Sequence, residues 1–260
     1  MPRFCTLLAG IAAAAASIAL AGAAFTQDSR AQDRRAGEGR PVELELLLAL
    51  DASSSVDDGE FALQRYGLAQ AFREPAVLAA IEATDGGIAV ALAQWSSGGR
   101  QAIAVGWTAV GTAPEAGRLA DSLVQMPRVF AGGDTSLRGI INFAARQFHD
   151  NGFAGQRQVI DISGDGGAIE NPAAMPGPAR DAAVALGIVI NGLAILNDVP
   201  DLDRYFRRNV IGGPGAFVVT ADSYRDYARA IASKLIQEIG ARPVVQFAPP
   251  PANSALAAAR

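Results

Sequence analysis

VELELLLALDASSS, residues 42–55, is the stretch on which the reading of the fold turns. Its first nine residues are mostly leucine, with acids only near the start, and polar residues follow at once. A short apolar run with these boundaries predicts a strand buried on both faces, as in the core of a parallel sheet. Asp51 then emerges at the carboxyl end of that strand, where open α/β sheets bind their ligands. It opens a D-x-S-x-S pattern formed by Asp51, Ser53 and Ser55.

Downstream of this strand, helical and strand-like runs alternate. Phe61, Leu68 and Phe72 recur near helical spacing within residues 59–82, which read as one helix. Residues 88–95 and 101–107 read as two strands, and the short, glycine-rich SSGGR between them suits an antiparallel hairpin. Helices are expected over 114–126, 136–149, 179–186, 202–209 and 224–239, and strands over 158–163, 188–196 and 216–220. This alternation predicts an α/β fold: a doubly wound, mostly parallel sheet with one antiparallel edge strand and helices on both faces.

At 260 residues, half of them apolar, the chain is long enough for one substantial core and does not require a second. The net charge of −4 and pI near 5.1 leave no basic footprint for nucleic acid and no polybasic anchor for a membrane. Residues 1–23 have the layout of a secretory signal peptide, with Arg3 before an Ala/Leu/Ile stretch and an A-x-A site at Ala21, Gly22 and Ala23. A membrane anchor needs about 20 unbroken apolar residues, whereas this stretch contains Gly10, Ser17 and Gly22. Cleavage is expected after Ala23, or as late as Ala31, sending the mature chain to the periplasm or the exterior without an anchor. Loss of Arg3 would change the net charge from −4 to −5, and the only cysteine, Cys5, would leave with the signal, so the mature chain would hold no disulfide. Residues 24–40 read as a solvated linker, 41–240 as the domain and 241–260 as a disordered tail rich in Pro and Ala.

Two further residues belong with Asp51, Ser53 and Ser55. Thr135 lies in AGGDTSLRG, a glycine-rich loop opening a helix, and Asp165 lies in ISGDGG after another core strand. Each is expected on the same carboxyl edge of the sheet. Two carboxylates and three hydroxyls form an all-oxygen set suited to a hard divalent cation, Mg²⁺ first, with Mn²⁺ or Ca²⁺ as alternatives. Taken singly, each piece also has a plain structural use: Ser55 with Asp58 as a capping pair, Thr135 as a helix N-cap, Asp165-Gly166 as a turn. Asp134, beside Thr135, reads as a solvated loop residue.

These residues, in this order, resemble the metal-ion-dependent adhesion site of the von Willebrand factor A domain, over roughly residues 42–240. The resemblance implies that Ser53, Ser55 and Thr135 bind Mg²⁺ directly, and that Asp51 and Asp165 act directly or through water. Here Ser163-Gly164 precedes Asp165, where many members of that superfamily place Thr. RQVIDISGDGG, VINGLAIL and RRNVIGGPGAFV also look like signatures of a bacterial family of secreted proteins with this domain and no assigned function. Neutral hydroxyls leave a cation under-neutralised, so an open position would attract an Asp or Glu of a protein partner. The expected function is therefore a non-enzymatic, cation-dependent protein-binding module. A Mg²⁺-dependent hydrolase of phosphatase type and a structural domain with a vestigial site are the alternatives.

Other residues carry weaker signals. Asp161 lies inside an apolar strand, which favours an ion pair with an arginine such as Arg157 or Arg138 over support of the metal loop. His149, the only histidine, reads as a surface residue near a helix end, and no G-x-S-x-G elbow accompanies it. Lys234, the only lysine, lies on an amphipathic helix and outside any P-loop. Trp95 and Trp107 flank the hairpin and are assigned to packing, and Gly212 to Gly215 to a turn at the amino edge of the sheet.

Overall fold

A computed structural model describes residues 39–166 and 175–241. The expected signal segment, the linker up to residue 38 and the tail beyond Ala241 lie outside the described residues. In chain order the elements are β1 (Arg40–Asp51), α1 (Asp58–Ala71), α2 (Pro75–Glu82), β2 (Ile88–Trp95), β3 (Gln101–Val110), α3 (Ala113–Gln125), α4 (Leu137–Arg146), β4 (Phe153–Gly164), α5 (Gly177–Ala185), β5 (Val189–Ile195), α6 (Leu202–Tyr205), β6 (Val218–Ala221) and α7 (Tyr227–Gly240). A π-turn, Phe206–Val210, extends α6, and a 3₁₀ turn, Tyr224–Asp226, leads into α7.

One six-stranded sheet runs in the order β3-β2-β1-β4-β5-β6. Every neighbouring pair is parallel except β2 with β3, the hairpin at the edge. β1 is central, and its side chains alternate between two cores. Leu44, Leu46, Leu48 and Leu50 join the core beneath α1, α2, α3 and α7, whereas Leu47 and Ala49 join the core beneath α4, α5 and α6. Burial on both faces is why the β1 sequence is an unbroken apolar run instead of an alternating one. From β1 the chain passes to β2 on one side and later to β4 on the other. This reversal puts the topological switch point between the carboxyl ends of β1 and β4, at Asp51 and just before Asp165.

The structure differs from the sequence expectation in detail. The single helix expected over 59–82 is two, because Glu74 takes the extended conformation that a following proline imposes and Pro75 opens the second helix. β1 begins two residues earlier than expected, pairing Arg40 with Phe153, and the helix expected over 202–209 becomes a π-turn after its first turn. Among the described residues no helix is long and apolar enough to cross a membrane.

Candidate functional site

The Asp51 carboxylate is fully buried at the end of β1, and its Oδ1 accepts the Ser53 backbone N–H at 2.8 Å. This side-chain-to-backbone turn brings the Ser53 and Ser55 hydroxyl oxygens within 3.2 Å of each other, Ser53 buried and Ser55 exposed. Two long-range donors hold the turn in place. Gln64 on α1 donates from Nε2 to the Asp51 carbonyl at 3.1 Å. Arg128 donates to the carbonyls of Ala52, Ser53 and Val56 at 3.3, 3.3 and 2.7 Å, while its guanidinium pairs with Asp58 and covers the Phe61 ring.

A second loop, residues 130–136, is stitched against the first. Ser54 donates its N–H to the Gly133 carbonyl at 2.9 Å, and the Gly133 N–H returns a bond to Ser54 Oγ at 2.8 Å. Ser96 Oγ donates to the Gly132 carbonyl, and Asp134, exposed, donates its N–H to Ser97 Oγ. Gly133 has φ +112°, and a Cβ there would lie 2.5 Å from both the Ser96 and Ser97 hydroxyl oxygens. Gly133→Ala should therefore cost about 1–3 kcal/mol through backbone strain and overpacking, read as a lower melting temperature; an unchanged melting temperature would contradict this picture of the loop. Thr135 leaves the loop facing the end of β4: a Cβ on Gly166 would lie 3.4 Å from Thr135 Oγ1.

Asp165, also buried, completes the cluster. Ser55 Oγ donates to its Oδ1 at 2.7 Å, and the Tyr224 hydroxyl donates to its Oδ2 at 2.9 Å. The helix-capping uses open to Ser55 and Thr135 fall to their neighbours. Asp57 caps α1, forming a capping box with Glu60, and Ser136 caps α4 by accepting from the Gly139 N–H. The Ser55 hydroxyl and Thr135 are thus not spent on helix ends.

The electrostatics centre on Asp51. Burial, offset in part by the Ser53 bonds and raised further by the Asp165 charge, pushes its carboxyl up to about 7. Among the described residues its Oδ2 has no hydrogen-bond partner, and it rests on Gly164, where a Cβ would come within 3.1 Å. A buried, unpartnered carboxylate oxygen is costly, and it is the kind of atom that a bound cation satisfies. Among the described residues no group of three or more His, Cys, Asp and Glu gathers for a metal. The donors available here are two carboxylates with hydroxyls, a hard set that suits Mg²⁺ or another hard divalent cation. Burial and the Asp165 charge also push the Tyr224 phenol upward, so it stays a donor.

The remaining candidates fall elsewhere. Asp161 does form a buried ion pair, but its partner is Lys234, 2.6 Å away on α7, and neither Arg157 nor Arg138. Lys234 also contacts Glu238 at 2.6 Å, and Asn191 donates to Glu238 at 2.8 Å. His149 is exposed, Trp95 is buried beneath Gly164, and Trp107 packs on Phe148 and Phe153 while donating to the Gln147 carbonyl. Gly212 bridges to Ile190 and Gly213 packs on Val189, at the amino end of β5. Sequence reasoning missed Gln64, Arg128 and Tyr224. No local pattern marks them: Gln64 folds back from the helix that follows the turn, and Arg128 and Tyr224 reach the site from distant elements.

Comparison with known proteins adds the family and the fold. A family model described as Protein of unknown function (DUF1194) matches residues 41–243. No curated protein matches the chain significantly. Among solved structures, the chain is similar to proximal thread matrix protein 1 from the mussel byssus with a zinc-occupied MIDAS motif (14% identity, TM-score 0.54, 78% of this chain and 49% of that one). It is also similar to a von Willebrand factor type A protein from Catenulispora acidiphila (16%, 0.54, 76% and 43%) and to the pilus adhesin SpaC from Lactobacillus rhamnosus GG (16%, 0.53, 76% and 31%). The chain spans less than half the length of each. At these identities the likeness is one of fold, the von Willebrand factor A fold.

Proposed function

The chain belongs to the family described as Protein of unknown function (DUF1194), and from its site we propose a non-enzymatic protein-binding module that works outside the cytoplasm after signal cleavage. Asp51, Ser53, Ser55, Thr135 and Asp165 would hold a divalent cation, Mg²⁺ in the first instance. When bound, that ion supplies positive charge and an open coordination position for an Asp or Glu of a partner. The chain's own residues do the rest. Asp51 brings the buried negative charge, Asp165 accepts the Ser55 hydroxyl's hydrogen bond and so leaves that oxygen's lone pairs for the ion, and Arg128 and Gln64 hold the turn.

The observation that carries this reading is the orphaned, fully buried Oδ2 of Asp51 at the switch point, beside hydroxyls that no helix cap uses. The likeness in fold to a matrix protein with a zinc-occupied MIDAS motif and to a pilus adhesin points the same way. Retention of protein partners should depend on Mg²⁺, disappear in EDTA and disappear in Asp51→Asn; a partner set unchanged by EDTA would contradict adhesion through a cation. Turnover of phosphate esters lost in Asp51→Asn would instead favour a hydrolase.

Cation affinity should also depend on pH in one direction. Protons compete for Asp51, whose carboxyl lies at about 7, so affinity should fall on the order of tenfold per unit below that point and level off above it. Titrations at several pH values between 5 and 8.5 would reveal the dependence; an affinity flat across that range would exclude Asp51 as the titrating ligand.

A further inference from the structure

Asp165 does not present two free oxygens. Its Oδ2 is occupied by the hydroxyl of Tyr224, a residue only 3% exposed on the 3₁₀ turn ahead of α7. The turn is itself fixed, because Tyr227 follows it fully buried, with its hydroxyl 3.3 Å from Ser163 Oγ on β4. Oδ1 is the oxygen that faces a candidate ligand, the Ser55 hydroxyl.

We propose that Tyr224 is a specificity-determining positioning residue that restricts Asp165 to one available oxygen and thereby selects a small, six-coordinate cation over a larger one. This rests on the reading of the cluster as a cation site. The selectivity follows from coordination chemistry. Ca²⁺ takes six to eight oxygens and readily uses a carboxylate through both of its oxygens, whereas Mg²⁺ holds six ligands in near-octahedral geometry and takes carboxylates through one. For Asp165 to embrace Ca²⁺ with both oxygens, Oδ2 would have to serve the cation and the Tyr224 hydroxyl at once, or give up that charge-assisted bond where the ring is buried, and either course weakens bidentate binding. Asp51 does not lift the restriction, since its Oδ1 is held by the Ser53 N–H. The site therefore lacks an unencumbered bidentate carboxylate among its two acids.

Tyr224→Phe removes the hydroxyl and keeps the ring that packs against the core. Calorimetric titration of Mg²⁺ and of Ca²⁺ into the metal-free protein, wild type and variant, tests the inference by the ratio of the two affinities. A residue that served only the fold would lower both affinities together and leave that ratio alone. Wild type should bind Mg²⁺ more tightly than Ca²⁺, and Tyr224→Phe should shift the ratio toward Ca²⁺ by about tenfold, the effect of one charge-assisted hydrogen bond. Tighter binding of Ca²⁺ than Mg²⁺ by the wild type, a comparison that needs no variant, would overturn the inference. So would an unchanged ratio in Tyr224→Phe. In either case the cation site itself stands; it falls only if the wild type binds neither ion.

Discussion

Asp51→Asn should abolish cation binding, lowering affinity by at least a hundredfold, while leaving the metal-free domain no less stable than the wild type at pH 8. The two halves of this result come from one fact. The Asp51 carboxyl is raised from 3.8 to about 7 because it is buried, so the folded state holds a proton that the unfolded chain has released over that interval. Below about pH 4 the group is protonated in both states and costs nothing. As pH climbs from about 4 to about 7 stability is lost, and above 7 the whole penalty is present, on the order of 4 kcal/mol from the shift alone. Asn carries no charge and still offers Oδ1 to the Ser53 N–H, so it escapes that penalty, although its amide nitrogen in the place of the unpartnered Oδ2 offsets part of the gain. Urea denaturation at pH 5 and pH 8, with and without Mg²⁺, separates the effects. Wild type without Mg²⁺ should be less stable at pH 8 than at pH 5, and Mg²⁺ should restore stability at pH 8; Asp51→Asn should lose the Asp51 part of the pH response and the whole of the Mg²⁺ response. A variant much less stable than wild type without metal at pH 8 would mean that Asp51 serves the fold and not a ligand.

Lys234→Met should be the most destabilising single substitution away from that site, costing about 3–5 kcal/mol. Lys234, Asp161 and Glu238 are all buried, with the ammonium 2.6 Å from each carboxylate. Removing the cation leaves two carboxylates facing each other, while among the described residues Asp161 Oδ2 and Glu238 Oε2 have no hydrogen-bond partners even in the wild type. Burial first, then the Asp161 charge, already pushes the Glu238 carboxyl up to about 7 despite Lys234. Because that position is raised, the wild-type network itself loses stability as pH rises from the ordinary glutamate range through about 7. Lys234→Met should steepen this loss. Chemical denaturation would measure it, and the combination Lys234→Met, Asp161→Asn, Glu238→Gln should recover most of the deficit. A small effect of Lys234→Met at pH 8, under 1 kcal/mol or so, would show that the network is neutral instead of ionic.

What the sequence made legible follows from how local each cause is. β1 and the β2–β3 hairpin were readable because burial on both faces writes an unbroken apolar run, and a tight connection writes glycines into five residues. Pro75 was equally visible, yet the apolar spacing across it suggested one helix where the residue before proline breaks it. The ligand candidates could be gathered because strand ends place Asp51 and Asp165 at one edge. Their partners could not be. Arg128 reaches 72 residues back to the Val56 carbonyl and Tyr224 59 residues back to Asp165, and neither distance leaves a pattern in the chain. The partner of Asp161 is hidden for the same reason. Arginines lie near it in sequence, whereas Lys234 arrives only because α7 docks across β4 and β5.

The most direct test of the central claim is a calorimetric titration of Mg²⁺ into the metal-free chain at pH 8. The oxygen cluster around Asp51 predicts saturable binding with one ion per chain, and none in Asp51→Asn. Absence of binding by the wild type at millimolar Mg²⁺ would contradict the assignment of Asp51, Ser53, Ser55, Thr135 and Asp165 as a cation site.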